Sequence, residues 1–241
     1  MRFCCAACGR IEEILLDRAP RCLYCDGTMV AESSYADVWI SPLTAIRRIV
    51  AIRETYGTET ARTHRRFQKE REAWTTAALA LALTKLTGEL WWIEIETVES
   101  TPDTRLVRIE QSSGRNIVQM RCVEVVDWQA NVEDIMTVIT KKCERAYPRN
   151  YLLAVHARHG GKVLEYERIA EQIMAIGSPF LEIWVVAVVE PAGLTAVRVA
   201  PFGPAVDLLS EDFARVADQP AFLKRGNRGT STEFYDLLGI A

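Results

Sequence analysis

The stretch IVQMRCVEVVDW, residues 117–128, decides how the body of this chain reads. Its β-branched residues and period of two describe a strand rather than a helix. Glu124 is the odd residue in it: Cys122, Val123, Val125 and Val126 around it are apolar, and an unpaired buried carboxylate is costly. Toward the N-terminus the same period continues in LWWIEIETV (90–98) and TRLVRIEQ (104–111), with Ser112-Ser113-Gly114 turning into the third strand. Toward the C-terminus, NVEDIMTVITKKCERA (131–146) has a helical stripe of Val132, Ile135, Met136, Ile139 and Cys143, with Asn131 as its expected cap. YLLAVHAR (151–158) is a buried strand, LEYERIAEQIMAIG (164–177) a helix closed by Gly177, LEIWVVAVV (181–189) a central strand and LTAVRVAPF (194–202) another.

Two helices are expected before the strands. Ser41-Pro42 marks the start of the first, whose apolar residues Leu43, Ile46, Ile49, Val50 and Ile52 recur at helical spacing as far as Gly57. A longer helix begins near Thr58, charged over residues 59–72 and apolar on most faces over 73–86. In its charged half Arg62, Arg65, Arg66, Lys69 and Arg71 form a local basic cluster, a candidate phosphate contact. The alternative is a solvated helix face balanced by Glu59, Glu70 and Glu72. The order helix, three strands, helix, strand, helix, strand, strand predicts an α/β fold with a mixed sheet flanked by helices. From Asp218 the chain reads as a loose basic tail with Lys224, Arg225 and Arg228 before a short helix, EFYDLLGI.

The first 25 residues hold five of the seven cysteines. Cys5 and Cys8 form one CxxC pair and Cys22 and Cys25 another, separated by 13 residues, so that four thiolates can complete a tetrahedron around one zinc ion. Cys4 could replace Cys5 through a CxxxC register. IEEILLD (11–17) between the pairs has the size of a short strand, and the whole resembles a zinc ribbon. A redox pair or an iron–sulfur cluster would use the same ligands with other spacing more often. A closed site of four thiolates leaves no position for water, so this zinc is expected to be structural.

The body, residues 58–202, resembles the restriction-endonuclease-like superfamily, the PD-(D/E)XK nucleases, in its element order, in Pro102-Asp103 at the start of the second strand and in Glu124 within the third. YPRNYLLAVHA and SPFLEIWVVAVV are also similar to stretches of uncharacterised bacterial members. The resemblance implies phosphodiester hydrolysis with magnesium or manganese held by Asp103 and Glu124, assisted by a helix acid such as Glu72 or Glu89. Pro-Asp is also ordinary turn chemistry. The family's lysine two residues after the acid is replaced here by Val126. Divergent members place it on the following helix, which points to Lys142 or Lys141; both are also ordinary cations for a last helical turn. The organisation expected is a zinc ribbon at 1–34, a connecting helix at 35–57 and the endonuclease-like α/β domain at 58–241.

Composition narrows the rest. With 241 residues, 49% of them hydrophobic, and a net charge of −3, the chain can build one sizeable core, and any nucleic-acid surface must come from local clustering. Its apolar runs are too short to span a bilayer, so a cytoplasmic protein with no membrane contact is expected. Motifs for nucleotide, dinucleotide or serine-hydrolase chemistry are absent. His156 and His159 are too few for a histidine metal site, and Cys122 and Cys143 read as core. The sequence therefore supports a DNA- or RNA-processing protein with a metal-dependent endonuclease-like domain, as in a mobile-element or defence system. The alternative is a noncatalytic zinc-ribbon subunit that binds nucleic acid or proteins within a larger assembly.

Overall fold

The computed structural model describes residues 2–5, 11–13, 29–31, 38–95, 102–112, 115–129, 134–148, 150–158, 164–189 and 193–224. The first helix, α1 (Pro42–Tyr56), starts where expected: Pro42 opens it, and the Ser41 hydroxyl accepts from the Thr44 amide at 3.2 Å. Beyond Gly57 the expected single helix is broken in two. Helix α2 (Thr58–Thr63) ends at His64, whose extended backbone (φ −70°, ψ 130°) starts a 3-10 turn over Arg65–Phe67 before α3 (Gln68–Thr87). The break is held by local hydrogen bonds. His64 Nδ1 accepts from the Arg66 amide at 3.2 Å, and Arg71 Nη1 donates to the carbonyls of Ala61 and His64 at 3.1 and 2.9 Å. From Ala73 to Thr84 every residue of α3 is buried. Such a helix must be covered on all sides. Ile49 and Ile52 of α1 share its core cluster, as do Val123, Leu152, Trp184 and Val206 of the sheet.

Nine strands form that sheet: β4 (Val38–Ile40), β5 (Trp91–Ile95), β6 (Thr104–Ser112), β7 (Arg115–Trp128), β8 (Tyr151–Ala157), β9 (Glu182–Val189), β10 (Gly193–Ala200), β11 (Phe202–Leu208) and β12 (Phe222–Lys224). Their order is β11-β10-β9-β8-β7-β6-β5-β4-β12. β7, β8 and β9 are parallel neighbours and the other pairings are antiparallel, so the sheet is mixed as expected. The crossovers run through α4 (Ile135–Cys143) and α5 (Tyr166–Ile176). Ile139 and Ile173 from these helices pack with Trp128, Leu153 and Val185, on the sheet face away from α3.

Three strands were hidden. β4 lies in the expected connector, β12 in the expected loose tail, and β11 follows Pro201 with Gly203 and Pro204 inside it. A proline is tolerated there because β11 is an edge. Helix α4 begins later than its apolar stripe suggests, with the Asp134 carboxylate accepting from the Met136 amide; Asn131 lies outside the described residues. A short helix α6 (Ser210–Arg215) is tied to α3 by Lys85 Nζ and Asp212 Oδ2, 2.7 Å apart. At the N-terminus β1 (Arg2–Cys5) lies between β2 (Ile11–Glu13) and β3 (Met29–Ala31) in a separate antiparallel sheet. Cys5 pairs there with Met29, while Cys8, Cys22 and Cys25 lie outside the described residues, as do Arg225, Arg228 and the expected last helix.

Candidate active site at the start of β6

Antiparallel pairing sets Thr104 of β6 opposite Val123 of β7, so Asp103 and Glu124 occupy the next positions of the ladder. Asp103 stands just ahead of β6 and is held by its own acceptor chemistry: Oδ2 takes the Val125 amide at 2.8 Å. The turn reading of Pro102-Asp103 thus misses what the carboxylate does, which is to fasten one strand to the next beside Glu124.

Side chains alternate along β7. Val123 and Val125 join the α3 core, whereas Cys122, Val126 and Trp128 join the core under α4 and α5. Glu124 belongs to the second set and is only 1% exposed. Its Oε2 accepts from Lys142 Nζ at 2.8 Å and from the Tyr147 hydroxyl at 3.2 Å. Its Oε1 is buried with no hydrogen-bond partner. Lys142 is therefore the lysine that meets the strand acid. Lys141, about 100° away around α4, is exposed.

The helix acid on this site is Glu72. One turn further along α3, Thr76 Oγ1 lies 2.7 Å from Thr104 Oγ1, docking the helix on the start of β6. Burial raises the Glu72 carboxyl above its ordinary range, and the negative charge of Asp103 adds to that. Gln68 donates to Glu72 Oε1 at 2.8 Å, and Lys69 Nζ lies 2.9 Å from Oε2. Glu89 is elsewhere, paired with Arg108.

A divalent cation is compatible with this donor set. Asp103 and Glu124 supply hard oxygens from adjacent ladder positions, and the buried, unpartnered Glu124 Oε1 is the acceptor a cation would satisfy. Magnesium commonly takes one or two carboxylates and completes its shell with water and phosphate oxygens. Among the described residues no three His, Cys, Asp or Glu side chains converge as a metal cluster.

The basic cluster lies on the broken helix rather than along one helical face. Arg62 pairs with Glu59 at 2.9 Å and Lys69 with Glu72, while Arg65 and Arg66 are exposed in the 3-10 turn. The Arg66 guanidinium sits 5.3 Å from the Tyr56 ring centroid and 5.4 Å from that of Phe67. Glu70 is buried against Arg48.

A further polar group stands where β7 and β8 end, and the sequence pattern concealed it. Parallel pairing sets Asp127 beside His156, and His156 Nδ1 lies 3.0 Å from Asp127 Oδ1. Arg158 grips the same carboxylate through Nε at 2.8 Å and through Nη2, and its Nη1 donates to the Arg62 carbonyl at 2.9 Å. The Trp74 ring lies 4.8 Å from the His156 ring. Burial resists ionisation of Asp127, but the His156 hydrogen bond and the charges of His156 and Arg158 outweigh it and hold the carboxyl below its usual value. Burial also lowers His156, more than Asp127 raises it. The signal was present as His-x-Arg at the end of a strand parallel to one ending in Asp, but only the register joins them. Comparison of this chain with protein-family models, curated proteins and solved structures returns no match.

Proposed function

We propose that this chain is a nucleic-acid-processing protein whose body is a restriction-endonuclease-like, metal-dependent phosphodiesterase, fused to a zinc ribbon. The observation that carries the reading is the 2.8 Å contact of Lys142 with Glu124: the amine that Val126 cannot supply reaches the strand acid from α4. Asp103 and Glu124 would hold magnesium or manganese, which when bound activates water and offsets charge on the phosphate. Lys142 is placed to stabilise the anion that develops during hydrolysis, and Tyr147 to keep Glu124 oriented. Arg62, Arg65, Arg66 and Lys69 would contact the DNA or RNA backbone. Cys5, Cys8, Cys22 and Cys25 would hold the structural zinc.

Calorimetric titration with magnesium or manganese, with and without an oligonucleotide, tests the site. Binding should disappear in the Asp103→Ala/Glu124→Ala variant together with any metal-dependent cleavage. Cleavage that survives in that variant would sink the assignment. The second reading, a noncatalytic binding subunit of a larger assembly, is favoured by the ion pair that already neutralises Glu124 and by the limit of two carboxylates. It predicts salt-sensitive oligonucleotide binding, weakened by Arg65→Glu/Arg66→Glu, with no cleavage under any metal.

A further inference from the structure

Two arginines converge on the break between α2 and α3. Arg71 reaches the carbonyls of Ala61 and His64, and Arg158 reaches that of Arg62 between them. Arg53, exposed on the last turn of α1, completes the group: the charge of Arg158 acts on both Arg53 and Arg71 and, after burial, lowers each below its ordinary value. Neighbouring acids are already engaged. Glu59 pairs with Arg62, Glu70 with Arg48 and Glu72 with Lys69, which leaves Asp127 facing three guanidinium groups. His156 is held neutral by its burial. A surplus of two positive charges thus remains at one rim of the sheet, on guanidinium groups anchored by backbone carbonyls.

We propose that Arg53, Arg71 and Arg158 seat a phosphate monoester, the dianion found at the end of a polynucleotide strand. A diester inside a strand carries one charge and would leave half the surplus unmatched. Planar guanidinium forks suit phosphate oxygens, and repulsion among them is relieved when the dianion binds. Asp127 follows Glu124 by three residues on β7, about 10 Å of strand, so an end held here lies close to the Asp103/Glu124 site. This inference rests on the nucleic-acid reading above and adds to it a preference for ends.

Full-length protein carrying Glu124→Gln, with no divalent metal, should be titrated with fluorescent oligonucleotides bearing phosphate at the 5′ end, at the 3′ end or at neither. One phosphorylated end should bind roughly tenfold more tightly than the unphosphorylated strand, as expected for charge-assisted contacts. The preference should vanish with Arg53→Ala, at an exposed position that leaves the Asp127–Arg158 pair untouched, and weaken with Arg71→Lys. Binding without end preference overturns this inference alone, and so does a preference unchanged in both variants. No binding of any strand overturns the nucleic-acid reading as well. Adenosine monophosphate that binds as tightly as the phosphorylated strand would replace the polynucleotide with a small phosphate ester.

Discussion

Lys142 and Glu124 show how a buried acid is made tolerable. The carboxylate is taken almost wholly from water, and its stability depends on one ammonium and one hydroxyl. Lys142→Met should lower unfolding free energy by about 2–4 kcal/mol, because it strands a buried charge, and Lys142→Met/Glu124→Gln should recover part of the loss. Urea denaturation at neutral pH measures both. His156 adds a pH signature. Its folded value is lowered first by burial and then by the charges of Arg158 and Arg53, against the pull of Asp127. Below the ordinary histidine value, about 6.5, the unfolded chain therefore binds the proton more readily than the folded one, and stability falls as pH drops through that value toward the folded one. The urea midpoint should decline between pH 7 and 5, and His156→Gln should flatten that part of the profile. An unchanged slope in the variant would remove His156 as its cause.

At the scale of elements, the break at His64 turns a charged helix into a corner. Continuous helix from Thr58 would have spread its arginines around one cylinder. The extended His64 and the 3-10 turn instead bring the carbonyls of residues 61, 62 and 64 to Arg71 and Arg158. Arg71→Ala should cost about 1–2 kcal/mol, through the loss of two charge-assisted hydrogen bonds at a partly exposed site. Amide hydrogen exchange should accelerate across Thr58–Phe67 and stay slow in the buried stretch Ala77–Leu83. Acceleration confined to other elements would contradict the stapling role.

The molecule as a whole has its main core between α3 and the sheet, and the small N-terminal sheet stands apart from that nine-stranded one. If four cysteines hold zinc, purified protein should contain one zinc per chain by elemental analysis, and Cys22→Ser/Cys25→Ser should contain none. The main unfolding transition should persist in that variant, because the buried residues of the large core come from Ile40–Val216. A zinc content unchanged by the double substitution would refute the ligand assignment.

Local patterning alone determined the strands at β5 to β10, the helices α1, α4 and α5, and the mixed α/β class, since hydrophobic periods of two and about 3.6 act over a few residues. It singled out Asp103, Glu124 and Lys142 by residue type, together with a resemblance in element order. Choosing between Lys141 and Lys142 required the docking of α4, and choosing between Glu72 and Glu89 required the docking of α3. The edge strands β4, β11 and β12 are short or interrupted by proline and glycine, so partner strands define them more than their own propensity does. The Asp127–His156–Arg158 group needed the parallel register of β7 and β8, a pairing between residues 29 positions apart. No local pattern encodes such a pairing, because it is a property of the packed sheet.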